Sequence, residues 1–552
     1  MVGKGFGTNH ILPEQTQVII IGGGPVGLSV AMELGTRGVK CVVVEPRKDI
    51  SKLRPRAKTT SVRTMEHFRR WNIADKIRKA APLSVAWSQQ VSFCDTLLGR
   101  EITRFDKVFG LELSANELFA EAGQQIPQFI VEEILRESVQ DLQSVQLMEG
   151  WSLHSIEQND EKVIAHLRND QSEEKIVQGV YLVGCDGARS AVRREMGIIY
   201  EGEADSLTNF NILFRSSDIA EKVPHDPAVQ YWMINQHTPG LMGRLDLQDM
   251  WWMIVLGVDA ETGNKNPEHY IHRMIGGKIP VEVVSTDEWS ARMLLANRFR
   301  TGRVFLAGDA AHLNPPWGGH GYNTGIGDAV DIGWKLAAVL QGWGGEALLN
   351  SYEEERRPVS DRVIRVATEN MKTLSSNLAG NLQDGEIDEK TYYKELADHI
   401  YDSKKMEFHS LDLVLGYRYD HSHIVADDLS EWPQEDTSVY HPTSHPGARL
   451  PHCWLNDNQS IYDVLGSGFT LLSFNDEVNV DQFVKEAEEK RVPLKVVPLY
   501  GYKLHELYEK SFIIVRPDQH VAWRGDHLPE NISELLDQIR GASTSVVTGK
   551  SR

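Results

Sequence analysis

The amino-acid sequence predicts an α/β fold, because two distant segments carry the same strand–turn–helix pattern. Near the N-terminus, an apolar run over residues 18–21 leads into glycines, a helical pattern over about 25–37 and a second apolar run over 41–44. Short continuous apolar runs between turn signals are typical of buried parallel strands. Much later in the chain, an apolar run over residues 303–307 again leads into a glycine-rich loop and a helical pattern.

The first glycine turn predicts a dinucleotide site. Gly22, Gly24 and Gly27 match the pattern G-x-G-x-x-G between a predicted strand and a predicted helix. In this pattern the glycines allow a tight turn, close approach of the backbone to a pyrophosphate, and packing of the helix on the strand. Glu45 ends the next strand, where an acidic side chain accepts hydrogen bonds from a ribose and disfavours a 2′-phosphate. The segment therefore predicts that an adenine dinucleotide binds here.

The second glycine segment predicts a ligand site at the start of a helix. Pro315 stiffens the loop, and glycines that include Gly319 and Gly321 leave its backbone N–H groups accessible. We expect a helix from about Asn323, directly after Tyr322, and the N-terminus of a helix favours negative charge. Two such segments far apart in the sequence predict one long cofactor held at both ends, namely FAD.

Three motifs in this order resemble those of the aromatic-ring flavoprotein monooxygenases typified by para-hydroxybenzoate hydroxylase and phenol hydroxylase. They are the first glycine turn with its acid, Asp186-Gly187 after an apolar run, and Asp309 after Gly308. The segment YEEERRP at residues 352–358 is similar to a further family signature, and the resemblance covers about residues 18–358. Motifs and resemblance together imply that FAD is bound by Gly22, Gly24, Gly27, Glu45, Arg56, Gln128, Asp186, Gly187, Asp309, Gly319, Gly321, Tyr322 and Asn323.

The resemblance implies a Rossmann-like FAD-binding domain interleaved with a β-sheet substrate domain. Residues 15–205 and 295–400 would form the first domain, and residues 85–118 and 206–292 the second. After a linker at 400–440, residues 441–552 resemble the C-terminal thioredoxin-like α/β domain of the longer members, such as 3-(3-hydroxyphenyl)propionate hydroxylase and polyketide hydroxylases. The four cysteines form no C-x-x-C pair. We therefore expect this domain to serve subunit contacts, as in a homodimer, and not redox chemistry.

The chemistry that the resemblance implies has two halves. NADPH or NADH reduces FAD, and O₂ then forms a C4a-hydroperoxyflavin whose distal oxygen attacks an electron-rich carbon of a phenolic or other aromatic substrate. The cofactor supplies this reactivity, whereas the protein excludes water and orients the substrate. Baeyer–Villiger or epoxidising oxygenation of a polyketide-like natural product is the alternative within the fold. A halogenase, a reductase or a non-catalytic flavin-binding module remain further interpretations, although the sequence lacks the halogenase motif W-x-W-x-I-P.

Candidate catalytic and substrate residues come from the loops and from the predicted sheet. We predict catalytic roles for Arg56, Pro315 and His320. Phenol hydroxylase has an acidic residue shortly after its P-R-A motif, but here Lys58 follows that motif, so no catalytic base is carried over. Four side chains of the predicted substrate domain are candidates for substrate contact: Tyr231, His237, Arg244 and Trp252.

Composition excludes several other classes of protein. The net charge is −20 over 552 residues, which disfavours binding to nucleic acid or to anionic membranes. No apolar run has the ~20 residues that a membrane span requires. The histidines lack H-x-x-x-H and H-E-x-x-H spacing, so no metal site is predicted. Few, widely spaced cysteines favour a reducing cytoplasm.

Overall fold

The computed structural model describes residues 14–53, 57–235, 237–373, 388–426, 428, 430–433, 436, 438–502 and 504–542. The strands, in chain order, are β1 (Val18–Ile21), β2 (Cys41–Glu45), β3 (Thr59–Thr60), β4 (Val91–Cys94), β5 (Glu101–Phe105), β6 (Gln124–Gln125), β7 (Val145–Glu149), β8 (Trp151–Gln158), β9 (Val163–Asn169), β10 (Glu174–Gly179), β11 (Tyr181–Gly184), β12 (Tyr200–Arg215), β13 (Gln230–Met233), β14 (Gly240–Arg244), β15 (Met250–Leu256), β16 (Glu282–Ala296), β17 (Arg300–Thr301), β18 (Val304–Leu306), β19 (His312–Leu313), β20 (Trp454–Asn456), β21 (Gln459–Ser460), β22 (Phe469–Ser473), β23 (Leu494–Pro498), β24 (Phe512–Val515) and β25 (Val521–Gly525). The α-helices are α1 (Pro25–Gly35), α2 (Val62–Arg70), α3 (Ala74–Ala80), α4 (Gln128–Gln140), α5 (Ala191–Glu195), α6 (Ile219–Lys222), α7 (Ala260–Gly263), α8 (Pro267–Ile275), α9 (Gly321–Leu340), α10 (Glu346–Lys372), α11 (Glu389–Phe408), α12 (Leu411–Leu415), α13 (Asp481–Glu489), α14 (His505–Tyr508) and α15 (Ile532–Ile539).

A six-stranded sheet forms the core of the first part of the chain, in the order β17-β18-β11-β1-β2-β7. Strand β1 pairs in parallel with β2 and β11, and β11 pairs in parallel with β18. The sheet thereby brings the two predicted glycine segments, which follow β1 and β18, to the same edge. All four residues of β1 are buried, because a parallel strand is covered on both faces. The predicted α/β architecture is confirmed.

A second, eight-stranded sheet has the order β19-β16-β12-β15-β14-β13-β4-β5. Successive side chains of a strand point to opposite faces, so the two faces of β15 differ. Trp251 and Met253 pack with α8 in one hydrophobic cluster. Trp252, from the other face, packs with Leu213, Leu245 and Phe129, the last of which lies on α4, next to β7 of the six-stranded sheet. The second face is therefore turned towards the glycine segments.

The C-terminal part contains a four-stranded sheet in the order β23-β22-β24-β25. Strand β22 is parallel to β23 and antiparallel to β24, which is the arrangement of a thioredoxin-like fold. Trp334 and Leu348 of α9 and α10 share one hydrophobic cluster with Phe469 and Ile514 of this sheet. The sheet is thus packed directly on the helix that follows the second glycine loop. Homodimer formation stays a prediction.

Helix α9 is longer than the sequence predicted, and helix α10 contains an internal proline. Helix α9 begins at Gly321, ahead of the expected start at Asn323. Helix α10 continues through Pro358, although proline is unfavourable in the interior of a helix. Buried residues on both sides of Pro358, among them Tyr352 and Val363, pack into the core, and this burial outweighs the hydrogen bond that proline cannot donate. Within the described ranges, no helix has the length and apolar character to cross a membrane.

Candidate active site

The first glycine turn leaves one open position beside the start of a helix. A Cβ atom on Gly22 would lie 2.4 Å from the carbonyl oxygen of Cys185, and one on Gly27 would lie 1.9 Å from the carbonyl oxygen of Gly22. These two glycines are therefore required by the fold itself. Gly24, which caps α1, would place a Cβ atom with nothing within 4 Å. The open space at this helix N-terminus suits a pyrophosphate.

Glu45 is held in place at the end of β2. It is buried, and its Oε2 accepts a hydrogen bond from the backbone N–H of Gly23 at 2.7 Å. Its Oε1 accepts a hydrogen bond from the Nε of Arg47 at 2.7 Å, and Arg47 also pairs with Glu132 at 3.0 Å. A carboxylate fixed beside the glycine turn fits the predicted contact with a ribose hydroxyl.

Asp186 serves as a helix cap in this structure. Its carboxylate accepts hydrogen bonds from the backbone N–H groups of Ala191 and Val192 at 2.6 and 3.1 Å and from the Oγ of Ser190 at 2.5 Å. Burial raises the pKa of Asp186 above its usual value. Gly187 next to it has a φ of 77° and open space where a side chain would be. The motif therefore combines a fixed turn with an open backbone position.

The glycine loop, residues 315–321, is tied to the strand that precedes α2. Gly318 and Gly319 have φ values of 83° and 70°, which favour glycine. The Nδ2 of Asn323 donates hydrogen bonds to the carbonyl oxygens of Gly319 at 2.8 Å and Thr59 at 3.1 Å. Its Oδ1 accepts a hydrogen bond from the N–H of Ser61 at 2.9 Å. Asn323 thus joins the loop to a second segment of the site.

The remaining loop residues differ in their exposure. Pro315 is buried, Gly321 and Tyr322 are half-buried, and the phenol of Tyr322 lies 3.4 Å from the hydroxyl of Thr60. Gln128 begins α4, and its N–H donates a hydrogen bond to the carbonyl oxygen of Ala57 at 2.9 Å. Arg56 lies outside the described residues.

Asp309 is exposed at the end of β18. It lies in a single 3₁₀ turn, Gly308–Ala310, next to buried neighbours on both sides. The N–H of Gly308 donates a hydrogen bond to the Oδ2 of Asp328 at 3.0 Å, and Asp328 is itself paired with His312 and Arg356. The buried ion pairs fix the turn, so they hold Asp309 at the sheet edge, where a ligand can reach it.

Alanine at position 309 is expected to weaken FAD binding about tenfold without changing the stability of the apoprotein. One hydrogen bond to a charged group contributes about 1.5 kcal/mol, and tenfold in affinity corresponds to about 1.4 kcal/mol. Fluorescence titration of the apoprotein with FAD measures the affinity, and thermal unfolding without FAD measures the stability. Asp309→Asn, which retains a hydrogen-bond acceptor, is the control. Equal FAD affinity in Asp309→Ala and wild type would exclude this contact.

His320 is buried at the N-terminal cap of α9. Burial lowers its pKa to about 4, so the imidazole is neutral at pH 7. A Cβ atom on Gly318 would lie 2.4 Å from the Nε2 of His320, which explains the need for glycine there. Together with Arg63 and His67, the ring lines a small cavity of about 40 Å³ between α2 and α10. Its predicted catalytic role stays a prediction.

The structure separates the four substrate candidates. The hydroxyl of Tyr231 accepts a hydrogen bond from the N–H of Ala228 at 2.9 Å, and its ring packs in the cluster around α8, away from the glycine loop. Arg244 donates hydrogen bonds within a turn, to the carbonyl oxygens of residues 246 and 248. His237 is exposed in a loop. Trp252 alone of the four belongs to the sheet face that is turned towards the glycine loop.

Several residues near this face were given no functional role in the sequence analysis. The ring of Trp317, in the glycine loop, lies with its centroid 6.0 Å from that of Trp289 on β16. Lys58 places its Nζ 4.0 Å from the ring centroid of Trp252. Aromatic side chains are equally common in ordinary cores, and the position of Lys58 after the P-R-A motif does not show which ring it contacts, so these contacts could not be predicted from the sequence.

A buried group of carboxylates lies behind the site. Among the residues that the structure describes, oxygens of Asp331, Glu355 and Asp518 come within 4.8 Å of one another. The Nζ of Lys335 lies 2.6 Å from Glu355, and the guanidinium of Arg516 lies 2.6 Å from both Glu355 and Asp518. Two protein cations already pair with these three acids, and burial raises the pKa of Asp331, so the group is best described as a buried ion-pair network.

Comparisons with known proteins agree with this geometry. A family model described as an FAD binding domain matches residues 15–367, and one described as the C-terminal part of aromatic-ring hydroxylases matches residues 443–543. The chain is 30% identical to the FAD-dependent monooxygenase apdD of Emericella nidulans, over 96% of this chain and 93% of that protein. It is 31% identical to aklavinone 12-hydroxylase DnrF of Streptomyces peucetius, over 83% and 91%. A solved structure of RebC with bound 7-carboxy-K252c aligns with a TM-score of 0.88 at 34% identity, over 96% of this chain and 100% of that one.

The two glycine segments at one sheet edge, and the aromatic sheet face opposite them, define a flavoprotein oxygenase. The chain belongs to the family of FAD-dependent aromatic-ring hydroxylases and is a monooxygenase that acts on aromatic or polyketide-type substrates. The family, the fold class and FAD as cofactor, all predicted from the sequence, are thereby confirmed.

Proposed function

We propose that the protein consumes NADPH or NADH together with O₂ and hydroxylates a phenolic ring bound between the glycine loop and the eight-stranded sheet. The observation that carries this proposal is the apolar, aromatic character of the sheet face opposite the loop. Trp252, Trp289 and Trp317 belong to the hydrophobic clusters that border this region. Bound FAD would supply hydride acceptance from the nicotinamide and activation of oxygen.

Each part of the chain has a defined task in this proposal. Gly24, Glu45 and Asp309 hold the cofactor at the edge of the parallel sheet, and the backbone of the glycine loop faces its reactive end. The tryptophan side chains exclude water from the reaction and offer flat surfaces to an aromatic ring. Orienting the ring carbon next to the cofactor is the main contribution of the protein to the rate.

A polycyclic substrate is favoured over a simple phenol. The name of DnrF specifies aklavinone, and the RebC structure contains 7-carboxy-K252c. A face lined by several indoles provides more contact area than one phenol ring covers, and large aromatic contacts dominate binding of this kind. We therefore propose a multi-ring aromatic natural product that carries at least one phenolic hydroxyl.

Anaerobic mixing of the FAD-loaded protein with NADH or NADPH is expected to bleach the visible flavin absorbance, and a suitable phenol is expected to accelerate the bleaching. The panel should contain simple phenols and hydroxylated polycyclic aromatics, with non-hydroxylated analogues of equal size as controls. Acceleration by a polycyclic phenol alone supports the proposed substrate class. Flavin that neither nicotinamide reduces, with any member of the panel, contradicts the proposal.

Product analysis under air then separates the two oxygenation outcomes. A hydroxylated ring supports the proposed reaction, whereas a lactone or an epoxide would assign the protein to Baeyer–Villiger or epoxidising chemistry. Labelled O₂ identifies the source of the inserted oxygen atom. Label in water only, with none in the product, contradicts a monooxygenase reaction.

A further inference from the structure

Lys58, which lies directly before β3, contacts the ring of Trp252 in the eight-stranded sheet. The Nζ of Lys58 lies 4.0 Å from the ring centroid of Trp252, which is 3% exposed. Lys58 directly precedes β3, whereas Trp252 lies in β15, far along the chain. An ammonium group this close to an indole is held by the negative face of the ring. The pair therefore places a positive charge where the segment before β3 meets the eight-stranded sheet.

The sheet is shaped to accept this pair. A Cβ atom on Gly243, the neighbour of Trp252 in β14, would lie 3.1 Å from the indole ring. The absence of a side chain at Gly243 lets the indole lie across the strand. Lys58 lies over the same ring.

The segment that carries Lys58 also contacts the glycine loop. Thr59, the residue after Lys58, accepts a hydrogen bond from the Nδ2 of Asn323 at 3.1 Å through its carbonyl oxygen. A Cβ atom on Gly319 would lie 3.4 Å from the Cβ of Thr59. Lys58 is therefore the direct sequence neighbour of a residue that contacts the glycine loop. Through Trp252 and Thr59, Lys58 therefore borders the region in which the aromatic substrate is proposed to bind.

The ammonium group keeps its charge at neutral pH. Burial lowers the pKa of Lys58 to about 8, because the charged form loses water, but this value is still above 7. A partly dehydrated cation attracts a ligand anion more strongly than an exposed cation does. Phenols are weak acids, and their anions carry the electron density that an electrophilic oxygen attacks.

We propose that Lys58, supported by Trp252, is a substrate-binding residue that holds the aromatic substrate as a phenolate beside the glycine loop. This inference rests on the proposed function and names the ionisation state of the substrate. The proton of the phenol is released to solvent on binding, Lys58 stays protonated, and no bond to carbon changes in this step. Lys58 is the residue directly after the P-R-A motif, and its positive charge would favour the phenolate form of the substrate.

Binding of a chromogenic phenol tests the inference without turnover. We would titrate the FAD-loaded protein with 4-nitrophenol below the pKa of the free phenol and record difference spectra, in which only the phenolate absorbs strongly in the visible region. The wild type is expected to bind mainly the phenolate. Lys58→Met is expected to lower the bound ratio of phenolate to phenol about tenfold or more, because a neighbouring opposite charge changes an acid's ionisation constant by at least about that factor. Lys58→Arg should restore most of the effect.

Lys52→Met is the matched control. Its Nζ also lies over an aromatic ring, 5.8 Å from the centroid of Phe129, but the Lys52 side chain is 65% exposed. This variant is expected to bind nitrophenol as the wild type does. The inference is overturned by an unchanged phenolate ratio in Lys58→Met, by a wild type that binds no phenolate, or by a Lys58→Met protein that loses FAD instead. Failure of the flavin to be reduced by NADH or NADPH would count against the proposed function and leave this spectrum unaffected.

Discussion

Leucine in place of Gly24 is expected to abolish stable FAD binding while the apoprotein remains folded. A Cβ atom at this position meets no protein atom within 4 Å, so the larger side chain fills space that the fold leaves open for the pyrophosphate. We expect a loss of at least about a hundredfold in affinity, equivalent to about 2.8 kcal/mol. Flavin content after purification and titration of the apoprotein with FAD measure the effect.

The control for Gly24→Leu must separate cofactor loss from misfolding. Gly277→Leu places a side chain near only the Cδ1 of Leu98, at 3.5 Å, in ordinary contact and outside the cofactor site. This control should retain FAD, and both apoproteins should unfold within a few degrees of the wild type. A Gly24→Leu protein that purifies yellow with one FAD per chain would exclude the proposed pyrophosphate position.

Methionine in place of Arg516 is expected to lower the free energy of unfolding by about 3–5 kcal/mol, the usual effect of removing one partner from a buried ion pair. Arg516 is 1% exposed and donates hydrogen bonds to both oxygens of Glu355, at 2.6 and 2.8 Å, and to Asp518 at 2.6 Å. Without the guanidinium, Glu355 and Asp518 would be buried with too few cations to balance their negative charges. Burial favours the neutral acid, but Arg516 and Lys335 outweigh it and lower the pKa of Glu355.

Urea unfolding of the apoprotein, followed by tryptophan fluorescence, measures the effect of Arg516→Met. Arg168→Met is the control, because Arg168 pairs with Glu174 at 2.8 Å while both side chains are about half exposed or more. Exposed pairs of this kind contribute at most about 1 kcal/mol. A change below this limit in Arg516→Met would show that the network does not hold the C-terminal part to α9 and α10.

Arg516 also gives the C-terminal part a role that the sequence did not predict. We expected this region to serve subunit contacts, since it has no C-x-x-C pair. In the structure, Arg516 pairs with residues of α9 and α10, and Arg449 pairs with Glu66 of α2. The start of α9 carries the glycine loop, and α2 follows the strand to which Asn323 is bonded. Through these ion pairs, the C-terminal part therefore stabilises the helices that position the cofactor site.

The motifs could be recognised in the sequence because each depends only on residues that are close together in the chain. Four apolar residues, a turn that only glycine permits and a helix start lie within about a dozen positions, and no distant contact is needed to interpret them. The predicted bounds of β1 agree with the structure, and Gly22, Gly27 and Glu45 have contacts that explain their residue types. The family resemblance rests on the same short segments, which is why the sequence alone predicts FAD as the cofactor.

Short sequence motifs by themselves determined the class of fold, the cofactor and the family of this protein, whereas the tertiary structure decided which side chains can meet a substrate. Trp251 and Trp252 are adjacent and chemically identical, yet they point to opposite faces of β15, and only the packing of α8 on one face distinguishes them. The contact between Lys58 and Trp252 joins residues far apart in sequence. Such contacts depend on how whole sheets pack, and no local pattern of residues encodes them.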